Sequence, residues 1–426
     1  MKLALCVVAV AACSAPNHPA PLPLAHRLVV ISVDGLMPDV YLDPDAHGMK
    51  IPTLRKLVAG GASARVHGVM PTVTYPTHTT MVTGVSPKVH GIVTNKPLDP
   101  FNKNLDGWRW YAEDIRSPTI YAAVEAAHGI AALVTWPVTV NAHASVVVPE
   151  YWRAGGPDDQ KLLRALSTPG VLTEVEKQDP ELWKQLTPPD ILDASQFAIA
   201  SYVLATRNPD LVLMHAFELD DAQHEHGPWS AEAKAVIEHV DAQLGAILAQ
   251  LEASPAWSRT ILVVVSDHGF APVEHELRLG VALEAHHIAP TDAATIASGG
   301  SALIYTDHRD AVAAALEDLH DHVARVIDHD ELVKLGGDPQ AAFALVAAPT
   351  YQFSDKRTGD LVVDTGPRGT HGWPPDDPAM AAAFIAFGPD VAHRSLGTID
   401  TLDFAPTFAK WLGVALPTAE HPPLGI

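Results

Sequence analysis

The sequence predicts an α/β fold: a mainly parallel central sheet flanked by helices, with a smaller lobe inserted in it. Two observations carry this. Short runs of continuous apolar, β-branched residues recur along the chain, and amphipathic helical stretches lie between them. The first run, RLVVISVDG at 27–35, ends in Asp-Gly, the pattern of a buried strand with a carboxylate at its exit. IAALVT (130–135), DLVLMHA (210–216), TILVVVSDHG (260–269) and AAFIAFG (382–388) read the same way. Between the third and fourth, AEAKAVIEHVDAQLGAILAQLE sets Val236, Ile237, Val240, Leu244, Ile247, Leu248 and Leu251 on one helical face. A helical insertion is expected over 156–193. From about 271 to 369 the alternation is interrupted by a strand (SALIYT), a helix-like run (DAVAAALEDLHDHVARV) and a second strand (FALVAA). These are read as a smaller lobe inserted in one catalytic domain spanning 27–426.

The first residues stand apart. Lys2 followed by the apolar stretch 3–12 reads as a signal segment over 1–15, too short to span a bilayer. Its VAAC, ending at Cys13, resembles a bacterial lipobox, which implies a chain lipid-anchored at Cys13 in the cell envelope; cleavage near Ala15 would instead give a secreted protein. The Pro-rich 16–26 reads as an extended tether. Either processing leaves the body without a disulfide, since Cys6 and Cys13 are the only cysteines. With 47% hydrophobic and 18% charged residues the chain is globular. Its formal charge of -22 argues against a nucleic-acid polymer as partner, and against membrane binding other than through a lipid. An acidic body also suits a protein that holds cations.

In parallel sheets, ligands gather at the carboxyl ends of strands. Asp34, Asp267 and His268 sit at such ends, where a carboxylate or imidazole is costly unless paired or on a metal. Asp220 and His224, four apart, share one face of a helical turn. His371 lies in GTHGW, whose glycines permit close approach of backbone to a site. Three aspartates and three histidines favour zinc over the oxygen-preferring magnesium and calcium. Six ligands exceed one tetrahedral ion and suit two, about 3.5–4 Å apart. Three aspartates against two dications leave roughly +1, attractive to a phosphoryl group. A nucleophile is still required.

The stretch MPTVTYPTHTTMVTGVSPKVHGIVTN (70–95) supplies one. Taken in order with Asp34, the Asp220/His224 pair, SDHG and THG, it resembles the alkaline phosphatase superfamily, closest to its nucleotide pyrophosphatase/phosphodiesterase branch, over nearly the whole mature chain. The resemblance implies an alkaline phosphatase-like fold and a small-molecule phosphodiester substrate. It makes Thr74 the nucleophile and Asn95 the residue that binds a phosphoryl oxygen. It assigns Asp34, Thr74, Asp267 and His268 to one zinc, and Asp220, His224 and His371 to the other. The implied reaction is a two-step in-line displacement through a phospho-threonine. Elementary chemistry agrees: a threonine hydroxyl needs a base or metal to become nucleophilic. Pro76 suits the first turn of a helix whose amides would point at a phosphate. Thr72, Thr77, Thr79, Thr80 and Thr83 read as structural, and His78 and His90 as supporting residues. Tyr75, beside the nucleophile, and Trp136, Tyr151 and Trp152 are the candidate substrate-binding aromatics.

Related chemistries separate by residue type. No C/S-x-P-x-R segment of the sulfatases follows Asp34. Monoesterases of the superfamily use serine and a nearby arginine, whereas the first arginine after Thr74 is Arg109. A phosphonoacetate hydrolase-like C–P hydrolase, with Thr and Asn, is the alternative enzyme; a lipoprotein that binds without cleaving is the non-enzymatic one.

Overall fold

The structure is a computed structural model that describes residues 24–101, 103–104, 107–153, 157–186 and 192–426. The expected signal segment, Cys13 and most of the tether lie outside the described residues. The end of the tether, read as extended, is docked on the body: Ala25 N–H donates to the Leu412 carbonyl at 3.1 Å. His26 Nδ1 lies 2.9 Å from the Trp411 carbonyl.

Six strands come first: β1 (Arg27–Val33), β2 (Ala62–His67), β3 (Ala131–Val134), β4 (Val146–Val148), β5 (Leu211–Ala216) and β6 (Thr260–Val265). β7 (Ala271–Arg278), β8 (Ala293–Ser298), β9 (Ser301–Thr306), β10 (Val323–Asp328), β11 (Phe343–Ala347), β12 (Thr350–Ser354) and β13 (Val362–Thr370) follow. β14 (Ala382–Phe387) and β15 (Arg394–Asp400) complete the set. The main sheet has eight strands in the order β15-β2-β14-β6-β1-β5-β3-β4. β1 lies at its centre, parallel to β5 on one side and to β6 on the other. β14 runs antiparallel to its neighbours β2 and β6.

Alternation along β1 divides the core. Val29, Ile31 and Val33 face the helices Asp193–Arg207 and Ala231–Glu252, where Phe197, Ile237 and Leu244 are buried. Leu28 and Val30 face Met81, Tyr121, Phe404 and Phe408 on the other side. Each fully buried side chain of this size contributes about 1.5–3 kcal/mol, so both faces of the strand hold it rigidly. The long helix starts where Ser230 accepts the Ala233 N–H at 3.2 Å.

Residues 271–370 build two further sheets: β10-β11-β9-β8, and β12-β7-β13. The helix-like run expected over 310–326 is corrected here. The helix Arg309–Glu317 ends early, and Val323 opens β10, paired antiparallel with β11. Pairing between distant segments overrides the helical pattern. Among the described residues, no helix is long and apolar enough to cross a membrane.

Candidate active site

Adjacent parallel strands bring their exits together. Asp34 follows β1 directly, and its N–H donates to the Ala216 carbonyl at the end of β5 at 2.8 Å. Asp267 and His268 leave β6 beside it. Asp220 and His224 lie on the helix Glu218–His226, which follows β5 after one residue. Between them Gln223 donates to the Gly35 carbonyl at 3.0 Å, tying that helix to the β1 exit. His371 follows β13. Gly372 beside it has φ +100°, and a Cβ there would stand 1.8 Å from the Ser298 carbonyl oxygen, so only glycine fits.

Five of the six side chains converge in two overlapping groups, Asp34–Asp267–His268 and Asp220–His268–His371, and His224 joins them through Asp220. His268 Nε2 lies 3.1 Å from Asp267 and 3.3 Å from Asp34. Asp220 lies 3.3 Å from His224 Nε2 and 3.7 Å from His371 Nε2. Each imidazole is held by its other nitrogen: Nδ1 of His224, His268 and His371 meets the carbonyls of Gly369 (3.0 Å), Gly269 (3.2 Å) and Thr72 (3.1 Å). Such a bond fixes the proton on Nδ1 and leaves the Nε2 lone pair for a cation. Asp34 Oδ1, Asp220 Oδ1, Asp267 Oδ2 and His268 Nε2 are buried without a hydrogen-bond partner. Burial, with Asp267 and Asp220 nearby, pushes the Asp34 carboxyl well above its ordinary value. Buried carboxylates aimed at one another, with orphaned atoms between them, fit a bound metal.

Thr74 opens the helix Thr74–Thr83 at the edge of this cluster and is 7% exposed. The helix is threonine-rich yet wholly buried, because its hydroxyls find partners inside it. Thr77, Thr79 and Thr83 donate to the carbonyls four residues back, at 2.7–2.9 Å. His78 meets the Thr74 carbonyl and Ser32 Oγ, both at 2.8 Å. Burial, reinforced by His215, lowers its pKa to about 3, so it is neutral. Asn95 Oδ1 accepts the Tyr75 N–H at 2.8 Å, which turns its amide N–H groups toward the cavity.

That cavity, about 640 Å³, is lined by Thr74, Asn95, Asp220, His224 and His371 at its base. Lys96, Leu98, Trp108, residues of β8 and Arg357 complete its lining. Arg357 is engaged by Glu284 (2.9 Å) and the Ile288 carbonyl (2.5 Å), whereas Lys96 is exposed.

The expectation that Tyr75 and Trp136 contact substrate is corrected: both are 0% exposed. The Tyr75 hydroxyl turns inward to Glu150 at 2.7 Å, and Trp136 packs edge-on against His78. Tyr151 packs on Trp110, and Trp152 on Trp108, outside the cavity lining. Trp108 is the ring that faces the cavity, edge-on to Tyr75 with centroids 5.2 Å apart. Sequence reasoning missed Trp108, Glu150 and His215. His215 Nδ1 donates to Glu150 at 2.8 Å and Nε2 to Asp34 at 3.0 Å. Burial pulls that imidazole down, but its bonds to Asp34 and Glu150 outweigh burial and hold its pKa well above the ordinary value. An imidazole inside DLVLMHA and a carboxylate at the exit of VVVPE carried the same signal that marked Asp34.

A family model described as Type I phosphodiesterase / nucleotide pyrophosphatase matches residues 28–372. Ectonucleotide pyrophosphatase/phosphodiesterase family member 5 of Homo sapiens is 23% identical over 65% of this chain and 52% of its own length. A bis(5'-adenosyl)-triphosphatase of Bos taurus is 23% identical over 88% of this chain and 76% of its own. The chain thus spans about half the length of the human relative. The solved structure of murine ectonucleotide pyrophosphatase/phosphodiesterase 5, in complex with AMP, superposes with TM-score 0.66 at 21% identity. That match covers 94% of this chain and 97% of the other. At that identity the likeness establishes the fold.

Proposed function

Because this chain belongs to the type I phosphodiesterase/nucleotide pyrophosphatase family, we propose that it hydrolyses small phosphodiesters, nucleotide-like ones included, with Thr74 as nucleophile. The observation that carries this reading is the set of three imidazoles pinned through Nδ1, their Nε2 atoms facing three carboxylates beside Thr74. Asp34, Thr74, Asp267 and His268 would hold one zinc, and Asp220, His224 and His371 a second. When bound, zinc supplies Lewis acidity that favours the ionised hydroxyl and offsets phosphoryl charge. Thr74 Oγ attacks phosphorus in line, its P–O bond forms as that to the leaving group breaks, and a phospho-threonine results. Water then attacks the same phosphorus and releases Thr74. The Asn95 amide donates to a non-bridging oxygen; losing one such donor typically costs about 3 kcal/mol. A cavity extending well beyond Thr74 has room for two ester substituents, which supports diesters over monoesters.

A second reading, a monoesterase, draws on Lys96, an exposed cation that lines the same cavity as Asn95, where a phosphate dianion would gain from it. Turnover of bis-p-nitrophenyl phosphate against p-nitrophenyl phosphate decides between them. A higher kcat/KM for the diester, lost in Thr74→Ala, is expected. Equal or better monoester turnover overturns the substrate class, and an active Thr74→Ala overturns the mechanism. Export and lipidation at Cys13 belong to the same proposal; acylated Cys13 in the mass spectrum of the native N-terminus tests them.

A further inference from the structure

Glu150 makes two bonds that the reaction above does not use. Its Oε1 accepts the Tyr75 hydroxyl at 2.7 Å, and its Oε2 accepts His215 Nδ1 at 2.8 Å. Beyond His215 the chain of bonds reaches Asp34 Oδ2 at 3.0 Å. Beyond Tyr75 it reaches Asn95 Oδ1, through the Tyr75 N–H at 2.8 Å. Tyr75, His215, Glu150 and Asp34 are all 0–4% exposed, so water cannot substitute for any of these links. One unbroken path therefore joins a carboxylate of the metal cluster to the amide that faces the cavity.

We propose that Glu150 is a positioning residue that fixes Asp34 and Asn95 relative to each other, so that cation and amide donor meet one phosphoryl group in a set geometry. This rests on the phosphoryl-transfer reading above. An Asn amide has two nearly isosteric orientations; with Oδ1 committed to the Tyr75 N–H, only the NH2 group can face the substrate. That peptide N–H stays aimed because its own ring is anchored by Glu150 and packed by Trp108. Toward the other end, His215 holds Asp34 by Oδ2 and leaves Oδ1 for the cluster. A carboxylate between two fixed donors has no freedom to rotate, and outer partners of metal ligands commonly govern affinity 10–100-fold.

A double-mutant cycle tests the Asn95 arm. Tyr75→Phe removes one hydroxyl from the interior and takes its donor from Glu150 Oε1. Its kcat for bis-p-nitrophenyl phosphate should fall about tenfold with KM nearly unchanged. In an Asn95→Ala background the same change should cost less than twofold. Additive losses, or an unchanged kcat in Tyr75→Phe, overturn the proposal. The Asp34 arm is read without turnover: in Glu150→Gln, zinc affinity by chelator competition should weaken at least tenfold, and unchanged affinity overturns this arm. Should Glu150→Gln fail to fold, His215→Gln, which breaks the same path one bond closer to Asp34, takes its place. A dead Thr74→Ala with additive Tyr75 and Asn95 effects refutes only this inference, whereas an active Thr74→Ala refutes the reading beneath it.

Discussion

The rings of His268 and His371 stack face to face, with centroids 3.6 Å apart and planes 12° from parallel. Two imidazolium ions could not sit this way. Burial, with His268 and His224 beside it, holds the His371 pKa well below the ordinary value, so this ring at least is neutral and free to ligate. Metal removal is therefore expected to unbalance the cluster. Exhaustive chelation should lower Tm, and zinc at about a hundred times Kd should restore about 2.7 kcal/mol. His371→Ala should bind about one zinc fewer by elemental analysis. An unchanged Tm after chelation would contradict this.

Trp108 is the aromatic surface offered to a substituent, since Tyr75 and Trp136 are closed off. Trp108→Ala should raise KM for a nucleoside p-nitrophenyl diester about tenfold, a stacked ring being worth about 1–3 kcal/mol. KM for a methyl p-nitrophenyl diester should move less. Equal effects on both would mean that the ring supports the wall and does not grip the substrate.

The threonines of the buried helix should differ in cost. Thr83→Val removes a hydroxyl whose acceptor, the Thr79 carbonyl, lies within the same helix, and should cost about 1 kcal/mol. Thr80 is different: its hydroxyl donates to the Val85 carbonyl and meets His90 Nε2, both at 3.0 Å. His90 Nδ1 accepts the Ile92 N–H, so Nε2 carries the proton, which is shared between Thr80 and the Pro76 carbonyl. Thr80→Val should cost about 1–3 kcal/mol in denaturant unfolding, because it takes the donor from the buried Val85 carbonyl, which lies outside the helix.

Asp193 sets a pH dependence of stability. Burial, then the Glu218 carboxylate, raises its pKa from 3.8 to about 7. The folded chain therefore holds a proton that the unfolded chain releases near pH 4, and stability falls as pH rises between these values. Asn at this position can still accept the Phe217 and Glu218 N–H groups now bonded to Oδ1 at 2.8 and 3.1 Å. The stability gap of Asp193→Asn over the parent should widen from about pH 4 to pH 7, by about 4 kcal/mol, and stay level above. A gap that narrows with pH would show the carboxylate to be stabilising.

What the sequence disclosed follows from cost. Asp34, Asp267 and His268 stood out because polar groups at the ends of apolar strands demand a reason, and the central strands because nothing but burial explains Val-Val-Val. The lobe strands were harder. β7 buries little beyond Val273 and Leu277, and β10 only Ile327, so their pattern barely rises above that of a loop. Where an aromatic ring points is set by its partner. Tyr75 faces inward because of Glu150, 75 residues away, a distance no local pattern spans.

β1 also decides which way the molecule looks when it is held. The chain enters this central strand at Arg27 and reaches Asp34 at its far end after seven residues, about 23 Å of strand. Leu24 to His26 are clasped at the arrival end by Leu412 and Trp411. A bead or a surface coupled directly at Leu24 would hold the molecule at the end of β1 opposite Asp34 and leave the cavity open to solution. Immobilised by that end, the protein should process freely diffusing molecules at the rate of the unattached form and be slow on molecules lodged in the surface that carries it.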